Sequence, residues 1–173
     1  MARPAVTGET QEILDAFRHL VQELRVADRE AESKLGLSGA QLFVLQKLGE
    51  ESSMSVNDLA ERTCTHQSSV SVVVHRLVDR HLVKRKESQS DRRRLELSIT
   101  AEGKKLLARS RYSPQDRMIE AVESMPARDR KQLSALLNDV VATMGLGART
   151  PEMFFETERR ATARQTRASE NGK

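Results

Sequence analysis

Residues 91–103, Asp-Arg-Arg-Arg-Leu-Glu-Leu-Ser-Ile-Thr-Ala-Glu-Gly, constrain the fold more than any other stretch, because a cationic loop tip runs straight into a strand and then into a helix start. Leu95, Leu97 and Ile99 alternate with polar residues, the period of a half-buried strand. Thr100 offers an N-cap oxygen, and Glu102 puts negative charge in the first turn of a helix continuing through Lys104-Lys105-Leu106-Leu107. Upstream, Leu82-Val83-Lys84-Arg85-Lys86 reads as the partner strand. The two strands and their long connection from Glu87 to Arg94 predict a β-hairpin with Lys86, Arg92, Arg93 and Arg94 on its tip and return edge. Such a hairpin is a wing.

What precedes the wing gives it a purpose. Val56-Asn57-Asp58-Leu59-Ala60-Glu61-Arg62 predicts a short helix with Leu59 and Ala60 inward, and Thr63-Cys64-Thr65 a turn. A second helix follows over 66–80, on which Val70, Val73, Val74 and Leu77 keep the i, i+3, i+4, i+7 spacing of one apolar face. Ser68, Ser71, Val72 and His75 occupy the opposite face. Small hydroxyls there keep a helix slim enough for a major groove and supply donors and acceptors to base edges. The pattern is a helix-turn-helix followed by a wing.

Charge agrees. The chain of 173 residues is formally +4, but residues 62–111 carry 13 Lys/Arg against 5 Asp/Glu, a net +8 that leaves −4 elsewhere. A basic segment in an otherwise acidic chain points to a polyanion; a merely solvated face is the alternative. Aromatic residues make up 3% and Trp is absent, so the core must come from Leu, Val, Ile, Met and Ala. A single cysteine excludes an internal disulfide framework and fits a reducing cytosol. Residues 1–10 lack a signal-peptide apolar core, and no apolar run approaches a membrane span of about 18 residues. A cytoplasmic location, with no membrane partner, is the expectation.

Both ends carry apolar seams. Ile13, Phe17, Leu20, Leu24, Ala27 and Ala31 are spaced 4, 3, 4, 3, 4. Leu133, Leu137, Val140 and Met144, widened by Leu136 and Val141, repeat the pattern, and Met118, Val122 and Met125 lie between, ahead of a last helix expected to open with Pro126. These helices predict a dimer interface built from both chain ends; an intrachain bundle is the alternative. Pro114 should kink or break the helix joining wing to interface. The fold expected is mainly α with a small β-hairpin wing: a dimerisation helix over 1–36, a winged helix-turn-helix over 37–100, further dimerisation helices over 101–147, and a tail over 148–173.

Leu59-Ala60-Glu61-Arg62, Ser68-Ser69-Val70-Ser71, Leu77, Leu82-Val83, Arg85, and above all Asp91-Arg92-Arg93 with Leu97-Ser98-Ile99-Thr100-Ala101-Glu102-Gly103 resemble the MarR (multiple antibiotic resistance regulator) family of bacterial transcription factors over about residues 9–147. The wing signature is specific; the helix-turn-helix alone is common to many regulators. The resemblance implies a homodimer on double-stranded DNA at a pseudo-palindromic operator, and a repressor released by a small anionic or phenolic ligand in the cleft between DNA-binding and dimer lobes. Candidate cleft residues are Phe17 and His19, Phe43 and Gln46, and Arg111 and Tyr112. Two departures stand out: Cys64 where a small residue such as Gly is more usual, and a long tail after Gly147.

At the DNA, Gln67, Ser68, Ser71 and His75 are the candidates for reading base edges, with Arg76, Lys84, Lys86, Arg92 and Arg94 on phosphates. Asp91 and Arg93 lie two apart on one face of an extended strand, so the carboxylate can brace the guanidinium for a narrow minor groove; the resemblance assigns the pair that role. Cys64, between Arg62 and His66 at the start of the recognition helix, is a candidate redox sensor, since the helix dipole and those cations favour a thiolate; turn filling is its structural alternative. A winged helix serving as a protein-interaction module is the rival reading. His19, His66, His75 and His81 make no HExxH or zinc-finger spacing, and neither a phosphate loop nor a nucleophile elbow is present. No enzyme activity, cofactor or metal is therefore expected. In the tail, Thr150 and Pro151 suggest a short helix docking Phe154 or Phe155 on the dimer, and the run beyond Glu158 is expected to be mobile.

Overall fold

The computed structural model describes residues 7–87, 95–110, 113–147 and 150–156. Seven helices and two strands follow in the order α1 (Gly8–Leu35), α2 (Gly39–Gly49), α3 (Val56–Arg62), α4 (Gln67–Asp79), β1 (Val83–Glu87), β2 (Leu95–Ile99), α5 (Ala101–Leu107), α6 (Pro114–Glu123) and α7 (Ala127–Thr143). The fold is mainly α with one small antiparallel hairpin, as its sequence implied.

Local signals set the boundaries. Ser38 caps α2 and Ser55 caps α3, each through a reciprocal box with the residue three positions on, Gln41 and Asp58. Thr100 caps α5 as expected, accepting from the Gly103 N–H at 3.0 Å. α1 closes at Gly36, whose left-handed φ of 65° lets its N–H reach the Glu32 carbonyl at 2.9 Å.

The core gathers α2, α3, α4 and the hairpin. Val70, Val73, Val74 and Leu77 of α4 are all fully buried, packed in one cluster with Phe43, Val44 and Leu48 of α2, Leu59 of α3 and Leu97 of β2. Burying one such side chain contributes about 1.5–3 kcal/mol. The hairpin pairs Val83 with Ile99, Arg85 with Leu97 and Glu87 with Leu95. Met54 pairs with the free edge of β2, its N–H donating to the Leu97 carbonyl at 3.0 Å and its carbonyl accepting from Leu97 at 2.8 Å. Three chain segments thus hold the wing on the helical core. Leu95, expected to be half-buried, is exposed because it lies at the outer end of the ribbon, past the core.

Pro114 breaks the connecting helix rather than kinking it. α5 stops at Leu107, and α6 starts at Pro114 behind the Ser113 cap, where the missing N–H costs nothing. Pro126 is likewise a cap rather than a first-turn residue, and α7 begins at Ala127. Lys47 of α2 ties α6 to the core through Asp116 at 2.5 Å, with Glu50 at 2.8 Å. Partial burial disfavours its charge, but the two carboxylates outweigh this and hold the ammonium above the ordinary lysine range.

The seams divide. Leu24 and Ala31 are buried on the core, whereas Ile13, Phe17 and Leu20 are exposed. α7 buries no residue, leaving Leu136, Leu137, Val140 and Val141 exposed. The tail is not the expected short helix: residues 151–153 are irregular and 154–156 form a turn. Within the chain Met153 anchors it, only 5% exposed in the main core, while Phe154 is exposed and Phe155 half-buried. Residues beyond 156 lie outside the described residues.

Two substitutions test this local reading. A Cβ on Gly103 would fall 2.4 Å from the Leu82 carbonyl oxygen and 2.7 Å from the Ile99 Cγ1. Gly103→Ala is therefore expected to destabilise by about 1–3 kcal/mol in urea unfolding, through overpacking against rigid backbone. Cys64 holds φ 49° where the chain leaves α3. Because that left-handed conformation strains any residue with a Cβ, Cys64→Gly should stabilise by about 0.5–1 kcal/mol in the same experiment.

Candidate nucleic-acid interface

Once its apolar side is buried, α4 has only one side to offer. Gln67, Ser68, Val72 and His75 are exposed along it and Ser71 is half-buried, so the four base-reading candidates share a surface. The α4 N-terminus is also distinctive. Hydroxyls cap α1, α2, α3, α5 and α6, but His66 makes no side-chain cap bond to α4 and no acid sits in its first turn. Its positive pole is left for an anion such as a phosphate.

The hairpin extends this surface. Lys84 and Lys86 are exposed, two apart on the ribbon face opposite Val83 and Arg85. Arg85 is not among the residues that the sequence singles out for DNA, yet its Nη2 donates to His75 Nδ1 at 3.2 Å. Because a guanidinium only donates, His75 must accept at Nδ1, which leaves its Nε2–H pointing outward as a donor. Arg85 of the wing thus holds one base-reading candidate, an interaction no local pattern announces. Asp91, Arg92, Arg93 and Arg94 lie outside the described residues.

Arg76 is already engaged. Its Nη1 pairs with the Glu156 carboxylate and donates to the Glu156 carbonyl at 3.3 Å, while Ser69 Oγ donates to the Pro151 carbonyl at 3.0 Å. Residues 150–156 therefore run along the flank of α4, a placement absent from the sequence expectations. The only available signal is the apolar Met153-Phe154-Phe155 cluster in an otherwise polar tail.

The cleft candidates do not converge. Phe17 and His19 are exposed on the outer half of α1, and Phe43 is a fully buried core residue. Gln46 is half-buried and donates to Ser110 Oγ at 3.4 Å. Arg111 and Tyr112 lie outside the described residues. A cleft of about 480 Å³ does open between α1 and the α5–α6 junction, lined instead by Ala27, Leu42, Arg109, Ser113 and Arg117 among others. Cys64 is exposed, but Arg62, expected to favour its thiolate, is committed to Glu51 at 2.6 Å and Glu50 at 3.3 Å. Among the described residues no group of three or more His, Cys, Asp or Glu is placed to hold a metal ion, and no helix is long and apolar enough to cross a membrane.

Residues 37–95, from the start of α2 to the wing, match the MarR family model. The chain is 37% identical over 88 residues to the transcriptional repressor MdtR of Bacillus subtilis, a match spanning 51% of this chain and 57% of that repressor. It is 29% identical over 106 residues to the homoprotocatechuate degradative operon repressor of Escherichia coli, 61% of this chain and 72% of that one. Among solved structures, a MarR family transcriptional regulator from Streptomyces coelicolor, determined in complex with DNA, shares the fold with a TM-score of 0.56 at 23% identity, covering 88% of this chain and 98% of that one. The winged helix-turn-helix of this chain, residues 37–95, is thus similar in sequence to the MarR family and shares the fold of a MarR family regulator.

Proposed function

We propose that this protein is a homodimeric, sequence-specific DNA-binding transcriptional regulator that acts as a repressor. The carrying observation is α4 itself: an apolar face fully buried, a face of Ser68, Ser71 and His75 turned outward, and a basic hairpin beside it. Ser68, Ser71, Gln67 and His75 read base edges in the major groove, Lys84 and Lys86 meet phosphates, and Arg93, braced by Asp91, enters the minor groove. The repressor names of MdtR and the homoprotocatechuate operon protein support the sign of regulation.

The exposed halves of the α1 and α7 seams support the dimer. Sixteen large apolar side chains stand exposed on the described chain, most of them on α1 and α7, and a second copy would cover them. A two-fold dimer would set two recognition helices about 34 Å apart, one helical turn of a pseudo-palindrome. The cleft between α1 and the α5–α6 junction supports control by a small anionic ligand, since Arg109 and Arg117 lie on its wall. Such a ligand would change the spacing of the two reading helices.

The full chain should sediment as a dimer at micromolar concentration, and Leu20→Glu should shift it toward monomer with loss of operator binding; a monomeric wild type overturns the dimer. On duplexes selected from a random library, Lys84→Ala should weaken all sequences alike and lower the salt slope by about 0.9 for each phosphate that the lysine no longer neutralises. Arg93→Ala should instead cost about 1–3 kcal/mol, with relaxed preference for A·T pairs flanking the major-groove contacts. Equal, sequence-blind losses from both would refute this division of labour.

A further inference from the structure

The segment of residues 150–156 lies beside the side of α4 proposed to meet DNA. Its anchors on α4 are Ser69, through the Pro151 carbonyl, and Arg76, through Glu156. These anchors stand two helical turns apart, so the segment follows the helix for roughly 10 Å. Between segment and helix runs a narrow space of about 220 Å³, walled by Ser68, Val72 and Arg76 on one side and Glu152, Met153 and Glu156 on the other. Ser68 and Val72 also belong to the exposed side that carries the base-reading candidates.

Three physical facts make this arrangement incompatible with a bound duplex. A major groove about 12 Å wide admits one helix of about 10–12 Å with its side chains, and no second peptide beside it. Glu156 is only 4% exposed, and it takes the guanidinium of Arg76 with both its carboxylate and its backbone carbonyl. An acid so placed satisfies the arginine as a phosphate oxygen would. Glu152, exposed on the same segment, would face the phosphate backbone with like charge.

We propose that residues 150–156 are a built-in competitor of DNA: Glu156 holds Arg76 in place of a phosphate, and operator binding requires the segment to leave the α4 flank. The inference rests on the DNA-reading role proposed for α4. The docked segment lowers the fraction of molecules able to bind, and apparent affinity falls by that fraction. Met153 makes the latch hydrophobic as well as ionic, so salt alone weakens it only in part. Anything that captures Met153 or the acids would act as an inducer of DNA binding.

The test compares the full-length wild type with Glu156→Gln and Ser69→Ala, which untie opposite ends of the segment, on a mixed-sequence duplex of about 30 bp by fluorescence anisotropy across a salt series. Both variants should bind more tightly, Glu156→Gln by about three- to tenfold, with a log–log salt slope steeper by about 0.9 per protomer as Arg76 reaches a phosphate. In the wild type, hydrogen exchange at the amides of residues 152–156 should accelerate when duplex is added. Unchanged or weaker binding by both variants overturns the latch, as does slower exchange in the complex, which would mean the segment stays and joins the interface. If neither the wild type nor the variants bind duplex at any salt, the DNA-reading role of α4 falls and the latch with it, an outcome distinct from equal binding by all three.

Discussion

What α4 can present to a partner follows from the burial of its one apolar side. Val70, Val73, Val74 and Leu77 are sealed against α2, α3 and the hairpin, and this commitment fixes the rotation of α4 about its own axis. A helix free to roll would smear its polar residues over many directions. One locked by four fully buried side chains holds Ser68, Ser71 and His75 to a single bearing. The Met54 pairing to β2 adds a further backbone tie between the wing and the helical core that seats α4.

Much of that body is legible in the chain because its signals are local. The α3 bounds, the α4 faces, the Thr100 cap and the two strands of the hairpin follow from spacing within about ten residues, where side-chain periodicity and capping chemistry act. The surface roles are less legible. Arg85 reaches His75 from another element, and Glu156 reaches Arg76 across 80 residues of sequence. Phe43 illustrates the converse failure: an aromatic residue at a cleft-facing phase proves to be packing, because α2 is buried on most of its circumference. The break at Pro114 is legible as a choice between kink and stop; Ser113 decides it by capping a new helix.

Buried polar contacts join the elements around the winged helix. The ion pair of Lys47 with Asp116 is largely withdrawn from water, with side chains 15% and 10% exposed, and it ties α6 to α2. Arg80 reinforces the other junction, donating to the Gly36 carbonyl at 2.7 Å where α1 turns into α2. Surface pairs such as Lys105 with Glu102 add little by comparison, since solvent screens them.

The first helix has a consequence of phase. α1 is continuous from Gly8 to Leu35, with its inner half gripped by the core at Leu24 and Ala31 and its outer half carrying Ile13, Phe17 and Leu20 into the open. No break lies between grip and free end, so the azimuth at which the proposed second copy would be met is set, residue by residue, from the winged-helix body outward. Adding one residue to this shaft would turn its free end by about 100° and advance it by about 1.5 Å. In the proposed dimer, the spacing of the two recognition helices would therefore depend on the length of α1, and only insertions that return the seam to its original bearing would preserve it.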